Sequence, residues 1–127
     1  MRNVTLVFLI KENKILLGMK KKGFGAGLYN GFGGKVKEDE NLEEAAVREL
    51  FEEAGLKTKP ENLTKKAELS FSFPHKSDWN QTVHVYLVNQ WSGKPTESDE
   101  MKPKWFNLNN LPYQKCGKLI STGCLLF

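Results

Sequence analysis

Apolar residues dominate Val4 to Ile10 and return from Lys14 to Met19, with a polar turn through Lys11, Glu12 and Asn13 between them. Two short runs rich in Val, Ile and Leu, joined by a tight polar turn, predict a β-hairpin. From Lys20 to Lys37 the apolar pattern gives way to Gly23, Gly25, Gly27, Gly31, Gly33 and Gly34. Such a density predicts loops whose backbone approaches something closely. A helical period then begins. Asn41 followed by Glu44 forms a capping-box variant, the period runs to Ala54, and Gly55 supplies the stop. Beyond it, Lys66 to Phe73, Thr82 to Gln90 and Lys104 to Leu108 read as strands. Strands on both sides of a central helix predict an α+β fold, a mixed sheet packed by helices.

The pattern changes little when composition is added. A chain of 127 residues with 39% apolar and 27% charged residues fits one soluble domain and excludes disordered and collagen-like classes. The net charge of +4 suits phosphorylated small molecules as well as nucleic acid, and no helix carries a basic stripe. We therefore expect a small-molecule substrate, no stable nucleic-acid complex and a monomer. The N-terminal apolar run is too short for a span and lacks a cleavage site, so no membrane association is expected. Cys116 and Cys124 match no metal-ligand spacing, and a reducing cytoplasm is the expected compartment.

At 100° per residue, Val47, Leu50, Phe51 and Ala54 fall on one side of the helix and Glu49, Glu52 and Glu53 on the other. The acidic side opposes stability. Like charges at i, i+3 and i, i+4 each cost roughly 0.2 to 0.5 kcal/mol, and carboxylates near a helix C-terminus oppose the macrodipole. Two readings account for it: a solvated face with an Arg48–Glu52 pair, or the ligand set of a hard divalent cation such as Mg²⁺.

The register of the whole segment separates them. Gly34, Glu40 and then Arg48-Glu49-Leu50-Phe51-Glu52-Glu53-Ala54-Gly55-Leu56 match all nine fixed positions of the box, residues 34–56, that defines the Nudix hydrolases. Outside the box, Gly18 to Gly27, Asn30 to Val36, Val83-His84-Val85, Glu97 to Met101 and Trp105-Phe106 resemble the branch of that family acting on oxidised purine nucleoside triphosphates. The similarity covers about residues 4–115.

The resemblance implies a sheet flanked by helices and hydrolysis of an 8-oxo-dGTP-like triphosphate to monophosphate and pyrophosphate. The cofactor would be Mg²⁺, with Mn²⁺ as the alternative, and the role that of cleansing the nucleotide pool. Position by position, it gives the metal Glu49, Glu52, Glu53, the Gly33 carbonyl and Glu100. It has Arg48 orient a box glutamate, Glu40 support the loop or a metal-bound water, and Lys20 contact the triphosphate. Asn30 falls at the purine edge, and Thr5, Phe24 and Phe71 match positions lining the same pocket. Gln81 stands where an apolar residue near the base is expected, and His84 reads as a satisfied strand residue.

After Lys115 the family pattern is lost, so residues 1–115 are read as the domain and 116–127 as a divergent tail, with the C-terminal helix missing or altered. A one-nucleotide deletion after Lys115 would explain it: one set of codons for Cys116 to Phe127, shifted by one base, encodes Met-Trp-Gln-Ala-Asp-Lys-Tyr-Trp-Leu-Pro-Ala-Val, the segment the family has there. The gene's nucleotide sequence tests this, and codons that do not shift into that peptide exclude it. Two alternatives stand beside the leading reading: hydrolysis of another nucleoside diphosphate derivative, and a catalytically impaired nucleotide-binding domain.

Overall fold

A computed structural model of the chain describes residues 2–23, 26–72, 74 and 80–111. The predicted hairpin forms from β1 (Arg2–Lys11) and β2 (Lys14–Lys20), turning through Glu12 and Asn13 in left-handed conformation. A two-residue strand β3 (Tyr29–Asn30), absent from the sequence pattern, precedes helix α1 (Leu42–Ala54). After α1 come a 3₁₀ turn (Pro60–Asn62), then β4 (Leu63–Phe71), β5 (Gln81–Val88) and β6 (Met101–Asn107).

The sheet is mixed, in the order β3-β2-β1-β5-β4, with β6 on β2. β1 and β5 run parallel, Arg2 opposite Gln81 through Leu9 opposite Val88, and the other pairs are antiparallel. β1 and β2 pair only over Leu9–Lys11 against Leu16–Lys14 and then splay apart. The glycine-rich segment fills the gap as a wedge. Asn30 and Tyr29 pair with Gly18 and Met19 of β2, while Phe32 and Lys35 bridge to Val7 and Val4 of β1.

Strand alternation divides the apolar side chains between the two sheet faces. Val7, Leu9, Leu16, Phe32, Tyr86 and Val88 pack with Ala46, Leu50 and Ala54 of α1. Each large side chain buried there contributes about 1.5 to 3 kcal/mol. Leu6, Phe8, Ile15, Leu17, Val83 and Val85 form the core of the opposite face. The α+β expectation holds, with one α-helix among the described residues; the tail from residue 112 onward lies outside them.

The helix ends follow the sequence. Asn41 Oδ1 accepts from the Glu44 N–H at 2.8 Å, and the Glu44 carboxylate accepts from the Asn41 N–H at 2.9 Å. This reciprocal cap is worth about 1 kcal/mol. Gly55 closes the helix at φ 71°.

The helical faces need correction. Phe51 is 50% exposed, and Glu53 is buried at 7% exposure. The inward stripe is Ala46, Leu50, Glu53 and Ala54, so a glutamate stands where the wheel assigned an aromatic. His84 is buried as expected, its Nε2 3.0 Å from Asn3 Oδ1.

Candidate active site

The wedge between β1 and β2 brings backbone up to the acidic end of α1. It is tied to β1 by Val7 N–H to Phe32 O at 2.6 Å, Thr5 N–H to Gly34 O at 2.9 Å and Val36 N–H to Asn3 O at 3.0 Å. A side chain at its centre would meet backbone at one glycine and a carboxylate at the next. A Cβ on Gly33 would lie 1.8 Å from the Thr5 carbonyl oxygen, and one on Gly34 would lie 2.8 Å from the Glu49 carboxylate. At this approach the Gly33 N–H donates to Glu53 Oε1 at 2.9 Å. That bond explains how a carboxylate is accommodated on the buried side of α1.

Arg48 organises the remaining carboxylates. Its Nε and Nη2 donate to Glu40 at 3.1 and 2.7 Å, and Nη2 also to the Lys35 carbonyl at 3.1 Å. Nη1 donates to Glu49 at 2.7 Å and to Glu52 at 3.2 Å. The forked contact with Arg48, helped by the Lys37 N–H, holds Glu40 down at about 2. Glu40 in turn holds Arg48 protonated.

The carboxylates facing inward behave in the opposite way. Burial pushes the Glu53 carboxyl up to about 8; the Gly33 N–H opposes this, while the charges of Glu49 and Glu100 add to it. Burial also raises Glu49, Arg48 counters it, and Glu52 and Glu100 add further repulsion. Glu100 arrives from the turn before β6. That turn is held by Lys21, whose N–H donates to the Glu100 carbonyl at 2.8 Å and whose Nζ lies 2.5 Å from Glu97.

A cavity of about 780 Å³ lies between these elements. Of the residues expected at the site, Lys20, Asn30, Gly33, Arg48, Glu49, Glu53, Gln81 and Glu100 line it. Glu52 does not: it is exposed and turned to Arg48. Thr5, fully buried, and Phe71 are absent from the lining, although Phe71 packs in the same cluster as Leu6, which does line it. Phe24 lies outside the described residues. Val4, Leu6, Leu28, Lys35, Lys37 and Met101 also line the cavity. For Val4 and Leu6 the signal is strand alternation, since one face of β1 meets the cavity.

The donor set of Glu49, Glu53 and Glu100 suits a hard divalent cation, because its side chains offer carboxylate oxygens whose mutual repulsion Arg48 and the Gly33 N–H offset only in part. Among the described residues no three such side chains form a ready-made cage.

A consequence for Arg48 follows. Lysine has the charge but not the fork, so Arg48→Lys should release Glu49 from Glu40. We expect kcat to fall about 10- to 100-fold with KM nearly unchanged. A matching rise in KM would instead mean that Arg48 contacts substrate.

The comparisons with known proteins agree with this geometry. The family model described as the NUDIX domain matches residues 1–120. An oxidized purine nucleoside triphosphate hydrolase of Mus musculus is 46% identical over 112 residues, covering 88% of this chain and 70% of that protein. Its counterpart in Danio rerio is 44% identical with the same coverage. An 8-oxo-dGTP diphosphatase of Buchnera aphidicola is 32% identical, covering 87% of this chain and 81% of that protein. The crystal structure of a MutT Nudix hydrolase from Burkholderia pseudomallei superimposes with a TM-score of 0.82 at 27% identity, covering 95% of this chain and 93% of that one. With Glu49 and Glu53 of the box at one cavity and the family model spanning nearly the whole sequence, the chain belongs to the Nudix domain family.

Proposed function

We propose that the chain is a Mg²⁺-dependent Nudix pyrophosphohydrolase that converts oxidised purine nucleoside triphosphates to monophosphate and pyrophosphate. The observation that carries this reading is the convergence of Glu49 and Glu53 from α1, Glu100 from the turn before β6, Lys20 from β2 and Asn30 from β3 on one cavity. The names of its relatives, matched at 44% and 46% identity, support the substrate class.

In the reaction the phosphoanhydride bond between the α and β phosphoryl groups breaks. Water's oxygen joins one phosphorus, the electron pair of the broken bond stays on the other fragment, and a proton leaves. A bound Mg²⁺, or Mn²⁺ in its place, supplies charge neutralisation on the phosphate oxygens and lowers the pKa of water. Glu49, Glu53 and Glu100 would hold it, with the Gly33 carbonyl and Glu52 as further ligands. Lys20 balances triphosphate charge. Asn30, which offers both donor and acceptor, meets the purine edge.

The test is pyrophosphate release from 8-oxo-dGTP and from dGTP, each with and without Mg²⁺. Metal-dependent turnover favouring the oxidised base is expected. Equal turnover of both would redirect the substrate to another nucleoside diphosphate derivative, and no turnover of either would contradict the enzymatic reading.

A further inference from the structure

Beside the main cavity lies a second recess of about 570 Å³, and Lys35 and Lys37 line both. Arg2, Asn3, Glu38 and Glu40 also line it. Its charges are unevenly matched. Glu40 is taken by Arg48 and by the Lys37 N–H. Among the described residues, neither Arg2, Lys35 nor Lys37 forms an ion pair. The Arg2 Nε is buried without a hydrogen-bond partner, an arrangement that costs free energy unless something accepts from it.

These cations are placed by ordered backbone. Arg2 sits in register with Gln81 of β5, and its N–H donates to the Asn80 carbonyl at 3.1 Å. Opposite it, the Val36 N–H donates to the Asn3 carbonyl at 3.0 Å and Lys35 bridges to Val4, which keeps the segment 35–37 alongside the start of β1. No aromatic side chain lines the recess. Unpaired ammonium groups beside a guanidinium, with no surface for a base to stack on, select a compact polyanion, and phosphoryl oxygens suit that set.

We propose that the recess lined by Arg2, Lys35 and Lys37 binds inorganic pyrophosphate, taking the product from the carboxylate cleft through the two shared lysines. The assignment of pyrophosphate rests on the hydrolytic reading above. The cleft itself, lined by Glu49, Glu53 and Glu100, repels a product anion once metal has gone, and the recess gives it a cationic place to move to.

Titration of sodium pyrophosphate into the full chain, stripped of metal and freed of chelator, tests this by calorimetry without requiring turnover. Arg2→Gln combined with Lys37→Gln should weaken pyrophosphate binding about tenfold or more, as loss of charge-assisted contacts predicts, and Arg2→Gln alone, outside the carboxylate cleft, should weaken it while nucleoside monophosphate binding stays within about twofold. Lys37→Arg should retain affinity. If the double variant does not fold, Lys37→Gln alone, at an exposed position, should weaken binding about threefold. In turnover assays the inhibition constant of pyrophosphate should rise by the same factor. Equal binding to wild type and variants, or an equal loss for the monophosphate, would overturn the proposal even if 8-oxo-dGTP is hydrolysed. Charge-dependent binding in a chain that hydrolyses neither triphosphate would uphold the anion site and sink the hydrolytic reading instead.

Discussion

Glu53→Gln should abolish turnover and make the metal-free protein harder to melt. Both effects come from one buried carboxyl. Its pKa in the fold is about 8, against an ordinary 4.5. A carboxyl raised on folding binds more protons in the native state than in the unfolded one, so stability is full below about 4.5 and is lost as pH rises toward 8. At pH 7 the loss is on the order of 3 kcal/mol. Glutamine keeps an oxygen to accept from the Gly33 N–H and carries no charge to bury. The variant's melting temperature without metal should exceed wild type by roughly 10 °C at pH 8, with the gap closing as pH falls to 5. Turnover should drop about 10³-fold or more, because a charged side-chain ligand of the metal disappears. Melts across this pH range, with and without Mg²⁺, check both halves; a variant less stable than wild type at pH 8 would show that Glu53 stabilises the fold it was taken to strain. Metal should narrow the difference by raising wild type alone.

The contrast between Glu53 and Phe51 shows where the sequence was legible and where it was not. Hairpin, caps and the end of α1 depend on neighbours a few residues away, so Asn41, Glu44 and Gly55 could be read directly. The acidic register became legible as chemistry only through its resemblance to the family box, since spacing alone left a solvated face and a cation ligand set both open. The face each residue presents depends on what packs against the helix. The wheel put Phe51 inward because it is apolar, while the structure turns it outward and buries Glu53 against the Gly33 backbone. The Gly33 N–H offsets part of the cost of burying that carboxyl, and periodicity carries no trace of a bond across 20 residues. The same holds for β3 and for Lys35 and Lys37, whose positions follow from the splaying of β1 and β2. Thr5 shows the converse: alternation along β1 sets Val4 and Leu6 on the cavity and leaves Thr5 in the interior.

Gly33→Ala should cost more stability than any other single methyl added in this site. The new Cβ would lie 1.8 Å from the Thr5 carbonyl oxygen and 2.6 Å from its carbon. Neither atom can yield cheaply. Thr5 sits mid-strand opposite His84 of β5, and its N–H is bonded to the Gly34 carbonyl, so separating residue 33 from β1 breaks the ladder that holds the wedge. The same separation withdraws the Gly33 N–H from Glu53 and leaves that carboxyl buried without its donor. Together these losses should exceed about 4 kcal/mol, a large share of the roughly 5 to 15 kcal/mol that holds a domain of this size folded. Gly34→Ala provides the internal control. Its Cβ meets only the end of the Glu49 side chain, at 2.8 Å, which can swing aside. That variant should melt within a few degrees of wild type while losing turnover about 10- to 100-fold, because Glu49 moves from Arg48 and from the cavity. Thermal melts and kinetics on the two variants separate the roles of adjacent glycines. Gly33 sets how closely the backbone passes β1, and Gly34 leaves room for the carboxylate beside it. Similar melting temperatures for both would mean that the wedge can shift as a unit, and that the close approach of Gly33 to Thr5 does not hold the site together.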